Sequence, residues 1–178
     1  MFSAIRNKLQ IIFTYEKFGK GETTKRKAEP YALKEFNSRW YLLARDCNDG
    51  KTKSFALDRL SELDITLMAF QFTENYDIEK EYRYSFGIIG PDGHAPEEIV
   101  LSFDPFQGKY IKTLPLHGTQ EILLDNGNEL QIKLRLCITH DFIMELLSYG
   151  DNLKVLEPQR LVDEIKKMHQ DAFTQYLN

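Results

Sequence analysis

The stretch that decides the fold is RWYLLARD at residues 39–46, followed by the turn CNDG at 47–50 and by KTKSFALDRL at 51–60. Successive side chains of a β-strand point to opposite sides. One side of 39–46 then carries Trp40, Leu42 and Ala44, and the other carries Arg39, Tyr41, Leu43 and Arg45. Asp-Gly, at 49–50, is a strong hairpin dipeptide. The two runs therefore predict an antiparallel β-hairpin.

Further short strands flank this hairpin. Residues 11–18 and 25–33 are rich in β-branched and aromatic side chains, with a two-glycine loop at 19–24 between them, and 61–67 can add a fifth strand. Five short strands at such tight spacing favour a small, strongly bent barrel of the SH3 or Sm type. We predict this barrel over residues 1–72.

A second unit follows a joint. Residues 73–98 indicate a short linking helix and a loop, and residues 99–178 then predict an alternation of strands and helices. The predicted strands are 99–103, 120–124, 129–138 and 152–157, with Asp141 capping one helix and Pro158 opening the last. If 104–116 holds a short helix, the order is the βαββαβ of a ferredoxin-like domain. The predicted class for the whole chain is α+β.

Composition restricts the function classes. The formal charge of −4 is unevenly divided: residues 1–59 hold 13 Lys and Arg against 7 Asp and Glu, whereas residues 60–178 hold 10 against 20. A basic first third favours an anionic partner for that third alone, although small proteins also divide charge unevenly by chance. No apolar run approaches the roughly 20 residues of a membrane helix. The two cysteines are too few for a disulfide scaffold or a zinc site, so we expect a reducing, cytoplasmic location and no membrane partner.

Catalytic signatures are absent from the sequence. It contains no nucleophile elbow, zinc-protease, phosphate-loop or paired-cysteine motif, and its four histidines stand singly, without a partner at metal spacing. We therefore predict a non-enzymatic protein with no catalytic residue, no cofactor and no metal. An enzyme remains the third alternative, since active sites are assembled in space.

Basic and aromatic residues recur together on the predicted strands of the first unit. Arginine and lysine hold phosphates, and aromatic rings stack on bases, with about 1–3 kcal/mol for each stacked base. The candidate ligand-binding residues are Tyr15, Arg26, Tyr41, Arg45, Lys53, Phe55 and Arg59. The alternative for the three aromatic residues is packing in the core.

Four ordered blocks over about 60 residues resemble the WYL domain, named for its Trp-Tyr-Leu triplet. They are Tyr15 in the first strand, RKAEP at 26–30, RWYLLAR at 39–45 and KSFALDRL at 53–60. The tail around VLEP at 155–158 resembles the WCX extension that commonly follows WYL domains. The resemblance implies the sensor half of a bacterial helix-turn-helix transcription regulator: an Sm-like barrel that senses nucleic acid or nucleotides on the seven residues above, and a ferredoxin-like part for dimerisation.

Two departures from the family pattern qualify this. Lys53 stands where the family often has arginine, which would lose a bidentate phosphate grip. No helix-turn-helix precedes Phe2, so we expect either a truncated sensor or a stand-alone module. The expected partners are single-stranded DNA or RNA, or a nucleotide, and a second copy in a homodimer. The alternatives are an Sm-like RNA-binding module that assembles into a ring, and a module that binds only proteins.

Overall fold

The computed structural model describes residues 1–18, 21–72, 76–91 and 93–177, which divide into two units, Met1–Arg83 and Tyr84–Asn178. Each unit contains one antiparallel sheet with helices, which confirms the α+β class. Part of the predicted loop at 19–24 and the first residues of the predicted linking helix at 73–84 lie outside the described residues.

The described residues of the first unit form five strands. Its elements are α1 (Phe2–Asn7), β1 (Leu9–Glu16), β2 (Thr23–Phe36), β3 (Arg39–Asp46), β4 (Thr52–Ala56), β5 (Leu60–Ala69) and α2 (Ile78–Glu81). The strand order is β4-β3-β2-β1-β5, so the two edge strands are consecutive in the chain. Only the 3₁₀ turn Leu57–Arg59 joins them. Four residue steps from Ala56 to Leu60 span at most about 14 Å, so the sheet must curl until its edges approach each other.

The curled sheet is nevertheless open. Among the described strands, β4 pairs with β3 and β5 pairs with β1, and neither edge pairs with the other. The described strands therefore form an open, curled sheet and not the closed barrel that the sequence predicts. The physical reason is that the 3₁₀ turn ends β4 at Ala56, although the alternating pattern of the sequence continues to residue 60.

The inner side of the curl is the core of this unit. It consists of Ala4, Ile11, Phe13, Tyr15, Ala28, Leu42, Ala44 and Phe55. Phe13, Tyr15 and Phe55 meet edge to face, with ring centroids 5.1–6.3 Å apart. Such contacts stabilise the fold by about 0.5–1.5 kcal/mol each beyond the area that they bury.

The outer side of the sheet is covered by the segment that follows β5. Tyr31 on β2 packs against the rings of Phe70, Phe72 and Tyr76, at centroid distances of 4.8–5.9 Å. The Tyr76 hydroxyl also lies 3.4 Å from the Thr52 hydroxyl on β4. The two sides of the sheet are therefore chemically distinct: a core side with α1 at one end, and an aromatic side closed by the chain itself.

The second unit contains four strands in the order β7-β8-β6-β9, all antiparallel. Its elements are β6 (Glu97–Phe103), α3 (Pro105–Thr113), β7 (Glu121–Asp125), β8 (Leu130–Leu136), α4 (His140–Ser148), β9 (Leu153–Glu157) and α5 (Gln159–Thr174). The helix expected within 104–116 is present. The Asp104 carboxylate caps it by accepting from the amides of Phe106 and Gln107, and Pro105 starts it.

Asp141 does not cap α4, contrary to the sequence prediction. The cap position belongs to Thr139, and the Asp141 carboxylate instead accepts from the amides of Ile88 and Ile89, at 2.8 and 3.1 Å. Gly87 makes this approach feasible, because its φ is +73° and a Cβ there would lie 2.5 Å from the Asp141 carboxylate. One helix side chain thus ties the beginning of the second unit to its core.

Candidate ligand-binding face

The registers of β1–β4 place three charged residues on the core side of the first sheet. Phe13 is paired with Arg26, Ala28 with Asp46, and Ala44 with Lys53. Residues paired across antiparallel strands share a side of the sheet. Arg26, Asp46 and Lys53 therefore follow one another across β2, β3 and β4, at the rim of the apolar core.

Asp46 is the centre of this group. Its side chain is fully buried, and its Oδ2 accepts from Arg26 Nη1 at 2.9 Å and from Lys53 Nζ at 2.8 Å. Its Oδ1 accepts from the Asn48 amide at 3.0 Å. Burial opposes the charge and would raise the pKa of Asp46, but the hydrogen bonds from Lys53 and Asn48 and the two cations outweigh it and lower the pKa.

Lys53 is shared by two carboxylates. Its Nζ also donates to Asp49 Oδ2 at 2.5 Å, across the turn that joins β3 to β4. Burial would lower the pKa of Lys53, but the bonds to Asp46 and Asp49 raise it, so the lysine remains charged. We call Arg26, Asp46, Asp49 and Lys53 the Asp46 cluster.

Arg59 differs from the other predicted cations. Its guanidinium carbon lies 5.0 Å from the centroid of the Tyr15 ring and 4.3 Å from that of Phe18. Its Nε is buried without a hydrogen-bond partner, and within the described part of the chain no carboxylate pairs with the guanidinium. Aromatic faces attract cations but leave the planar N–H donors available. Arg59 is therefore a cation fixed by two aromatic rings, and no carboxylate of the described residues neutralises its charge.

Two predicted aromatic residues are core residues. Tyr15 and Phe55 are only 8% and 3% exposed. The Tyr15 hydroxyl accepts from the Ala56 amide at 3.2 Å, and burial raises the pKa of this tyrosine. Neither ring presents a face on which a base could stack, so the core alternative is the correct one for both. Their contribution to the face is indirect, because Tyr15 supports Arg59 and anchors the end of β4.

Tyr41 and Arg45 lie on the other side of the sheet. They alternate with the core residues Leu42 and Ala44, and the register pairs Arg45 with Glu29. Arg45 Nη1 lies 3.3 Å from the nearly buried Glu29 carboxylate. The prediction that all seven residues line one surface is thus wrong. Strand alternation separates Tyr41 and Arg45 from Tyr15, Arg26, Lys53, Phe55 and Arg59.

Three residues of the face were missed by the sequence analysis: Phe18, Asp46 and Asp49. Phe18 is 70% exposed and supplies the accessible ring that Tyr15 and Phe55 do not. Asp46 is the last residue of β3, and Asp49 lies in the turn that follows. Only the register brings Asp46 to Arg26 and Lys53, and only the folded turn brings Asp49 to Lys53. An acidic residue at a strand end between two basic strands is the one signal that could have indicated this cluster.

The described residues contain no group of three or more His, Cys, Asp or Glu side chains placed to hold a metal ion. Cys47 is exposed and Cys137 is buried, and burial raises the pKa of both thiols. A thiol with a raised pKa is a poor nucleophile at neutral pH. Separately, none of the helices in the described ranges has the length and apolar character needed to cross a bilayer.

Two family models match the chain. The model described as the WYL domain covers residues 1–65, and the model described as the WCX domain covers residues 95–173. Both agree with the resemblance carried by RWYLLAR at 39–45 and VLEP at 155–158.

Solved structures resemble the chain over 98% of its length. One is described as a CRISPR Cas-related protein, with a TM-score of 0.58 and 12% identity, and the match covers 49% of that chain. Another is the proteasome accessory factor B/C (PafBC) of Arthrobacter aurescens, with a TM-score of 0.40 and 21% identity over 26% of its chain. The chain thus spans about half of the first and about a quarter of the second. The first similarity concerns the fold alone.

Proposed function

Because this chain consists of a WYL domain followed by a WCX domain, we propose that it is the ligand-sensing, non-catalytic module of a transcription regulator. Its ligand is single-stranded nucleic acid or a nucleotide, bound on the core-side rim of the first sheet. The observation that carries this proposal is Arg59, a guanidinium held between Tyr15 and Phe18 with no carboxylate of the described residues on it. Arg26 and Lys53 on the same side supply further donors.

The chemistry of the rim suits a phosphate next to a base. The Arg59 guanidinium keeps its N–H donors, which match phosphate oxygens, and the exposed Phe18 ring offers a face for stacking. The three positive charges of Arg26, Lys53 and Arg59 outnumber the two negative charges of Asp46 and Asp49 by one. This modest excess favours a ligand held by one or two phosphates over a long polyanion.

The proposal extends to the fold type of each unit. We infer that the curled first sheet is an Sm-like barrel left unpaired between β4 and β5, and that the second unit is ferredoxin-like. Support for the latter comes from the βαββαβ order of its elements together with the strand order β7-β8-β6-β9.

The test is a titration of a labelled single strand of about ten deoxythymidines (dT10), at about 50 mM and about 200 mM salt. We expect binding that weakens as the salt concentration rises. In Arg59→Ala the affinity for dT10 should fall by at least about tenfold, because one charge-assisted phosphate contact contributes about 1.5–3 kcal/mol. The matched control is Arg39→Ala, which removes an equal charge from an exposed pair with Asp58.

Equal losses in the two variants would show that binding is non-specific attraction to a basic surface. No binding of dT10 or of mononucleotides to the wild type at high micromolar protein would refute the ligand class. Hydrolysis of any of these probes would refute the non-catalytic assignment.

A second candidate function is dimerisation through the second unit. All five residues of the edge strand β7 are exposed, including Ile122, Leu123 and Leu124, and Phe106, Tyr110 and Leu114 form an exposed apolar row along α3. Exposed apolar surface of this kind is typical of interfaces. A solution mass of two chains would support this candidate, a single chain would contradict it, and six or seven chains would favour a ring-forming RNA-binding module.

A further inference from the structure

Lys53 is held by two carboxylates of very different exposure. Asp46 is fully buried and accepts from three donors, those of Arg26, Lys53 and the Asn48 amide. Asp49 keeps 44% of its side-chain surface exposed and contacts Lys53 from the turn between β3 and β4. The contact of Lys53 with Asp46 is therefore structural, whereas its contact with Asp49 can exchange with an anion from solution.

The exposed partner is weakly held. An ion pair with an exposed side chain contributes little, because water screens it and both side chains lose conformational freedom. The other contact of the Asp49 carboxylate is the amide of Lys51, at 3.1 Å, which belongs to the same turn. The side chain can release Lys53 while the turn keeps its shape.

The place that Asp49 occupies suits a phosphate oxygen. An ammonium group has three N–H donors, of which Lys53 uses one on Asp46 and one on Asp49. Arg26 donates from Nε to the Thr24 hydroxyl and from Nη1 to Asp46, which leaves three of its five N–H donors. Because Arg26 Nη1 and Lys53 Nζ contact the same oxygen of Asp46, an anion that replaced Asp49 on Lys53 would bind beside a guanidinium that has unused donors.

We propose that Asp49 is a built-in competitor for the ligand: its carboxylate occupies the anion position on Lys53 in the unbound protein, and a ligand phosphate displaces it. This inference rests on the proposed function, since it concerns the same face. Asp49 then sets an affinity threshold. A phosphate-bearing ligand competes successfully because it adds contacts to Arg59 and Arg26 that an aspartate in the turn cannot make.

The variant that tests this is Asp49→Asn. Asparagine keeps a side-chain oxygen for the Lys51 amide and so preserves the turn, but removes the charge that competes for Lys53. We expect dT10 to bind about two- to fivefold more tightly, the factor that corresponds to one exposed ion pair. The matched control is Asp64→Asn. Asp64 is exposed on β5 and pairs with Ile12 on the outer side of the sheet. This substitution changes the charge equally and should leave the affinity for dT10 nearly unchanged.

A double-mutant cycle with Lys53→Met separates displacement from a general change of charge. If Asp49 competes through Lys53, Asp49→Asn should gain nothing in the Lys53→Met background. Persistence of the gain there, an equal gain in Asp64→Asn, or weaker binding by Asp49→Asn at an unchanged melting temperature would overturn the inference. These outcomes are distinct from failure of the proposed function, in which dT10 would not bind the wild type or would ignore Arg59→Ala.

Discussion

One oxygen of Asp46 accepts from two cations. Replacing Asp46 should therefore lower the free energy of unfolding more than replacing any exposed acidic residue of the first unit. In Asp46→Asn the amide cannot balance Arg26 and Lys53, whose side chains keep only 17% and 32% of their surface exposed. Breaking a fully buried pair costs about 3–5 kcal/mol, and partial exposure of the cations reduces this. We expect a loss of about 2 kcal/mol in the free energy of unfolding.

The measurement is urea unfolding followed by the fluorescence of Trp40, the single tryptophan, which lies on β3 and reports on the first unit. Asp64→Asn serves as the control and should shift the midpoint little, since substitutions of exposed residues usually stay within about 0.5 kcal/mol. A midpoint for Asp46→Asn equal to that of the control would show that the cluster does not stabilise the fold.

The lowered pKa of Asp46 also predicts how the free energy of unfolding depends on pH under acidic conditions. The pKa of Asp46 is lowered in the folded state, so its contribution is present above the unfolded pKa of about 3.9 and is lost as the pH falls through the folded value. The stability difference between the wild type and Asp46→Asn should therefore be constant near neutral pH and shrink below about pH 4. A stability difference between the wild type and Asp46→Asn that stays constant down to about pH 2 would contradict this prediction.

At the scale of elements, the connection between residues 84–89 and α4 depends on one glycine. In Gly87→Ala, a Cβ would stand 2.5 Å from the Asp141 carboxylate, in a backbone conformation with φ at +73° that alanine rarely adopts. We expect a loss of about 1–3 kcal/mol, since a strained backbone conformation alone costs about that much.

Hydrogen exchange at the Ile88 and Ile89 amides, which donate to Asp141, measures the local effect. The partner variant is Asp141→Ala, which also exposes these amides but removes the clash. The two substitutions should therefore be less than additive together. Strict additivity would mean that Gly87 and Asp141 act independently and that the tie described here is not one unit.

Elements whose pattern is local could be predicted from the sequence, and those that depend on distant contacts could not. The run 39–46 is predicted as a strand from its own residues and the turn after it, and β3 has those same bounds. By contrast, 51–60 also alternates but β4 ends at Ala56, because the chain turns there and continues as β5, which pairs with β1 and forms the opposite edge of the sheet.

The candidate site shows the same division. Residue types identified Arg26, Lys53 and Arg59 as cations of the first unit, but strand register decides that Arg26 and Lys53 meet Asp46. Asp46 is 20 residues from Arg26 in sequence and adjacent to it in space. Local alternation separated Tyr41 from Leu42, but only the register, which pairs Leu42 with Phe55, shows that Tyr41 and Phe55 lie on opposite sides of the sheet.

At the scale of the whole molecule, the two units have separate cores and opposite charge balance, with the net positive charge in residues 1–59. A ligand that binds only the folded first unit stabilises that unit by mass action, by about 2.7 kcal/mol at a hundredfold excess over its Kd. We therefore expect dT10 to slow amide exchange throughout β1–β4.

A sensor must also change the second unit, since a regulatory ligand acts through a coupling free energy between distinct parts, commonly about 1–3 kcal/mol. We expect dT10 to alter exchange among residues 84–177 as well, most readily at the Ile88 and Ile89 amides, whose bonds to Asp141 lie close to the start of this unit. Arg59→Ala should abolish both responses together. Protection limited to residues 9–69 would identify a binding domain without a relay, and the regulatory part of the proposal would then be wrong even though the ligand class was right.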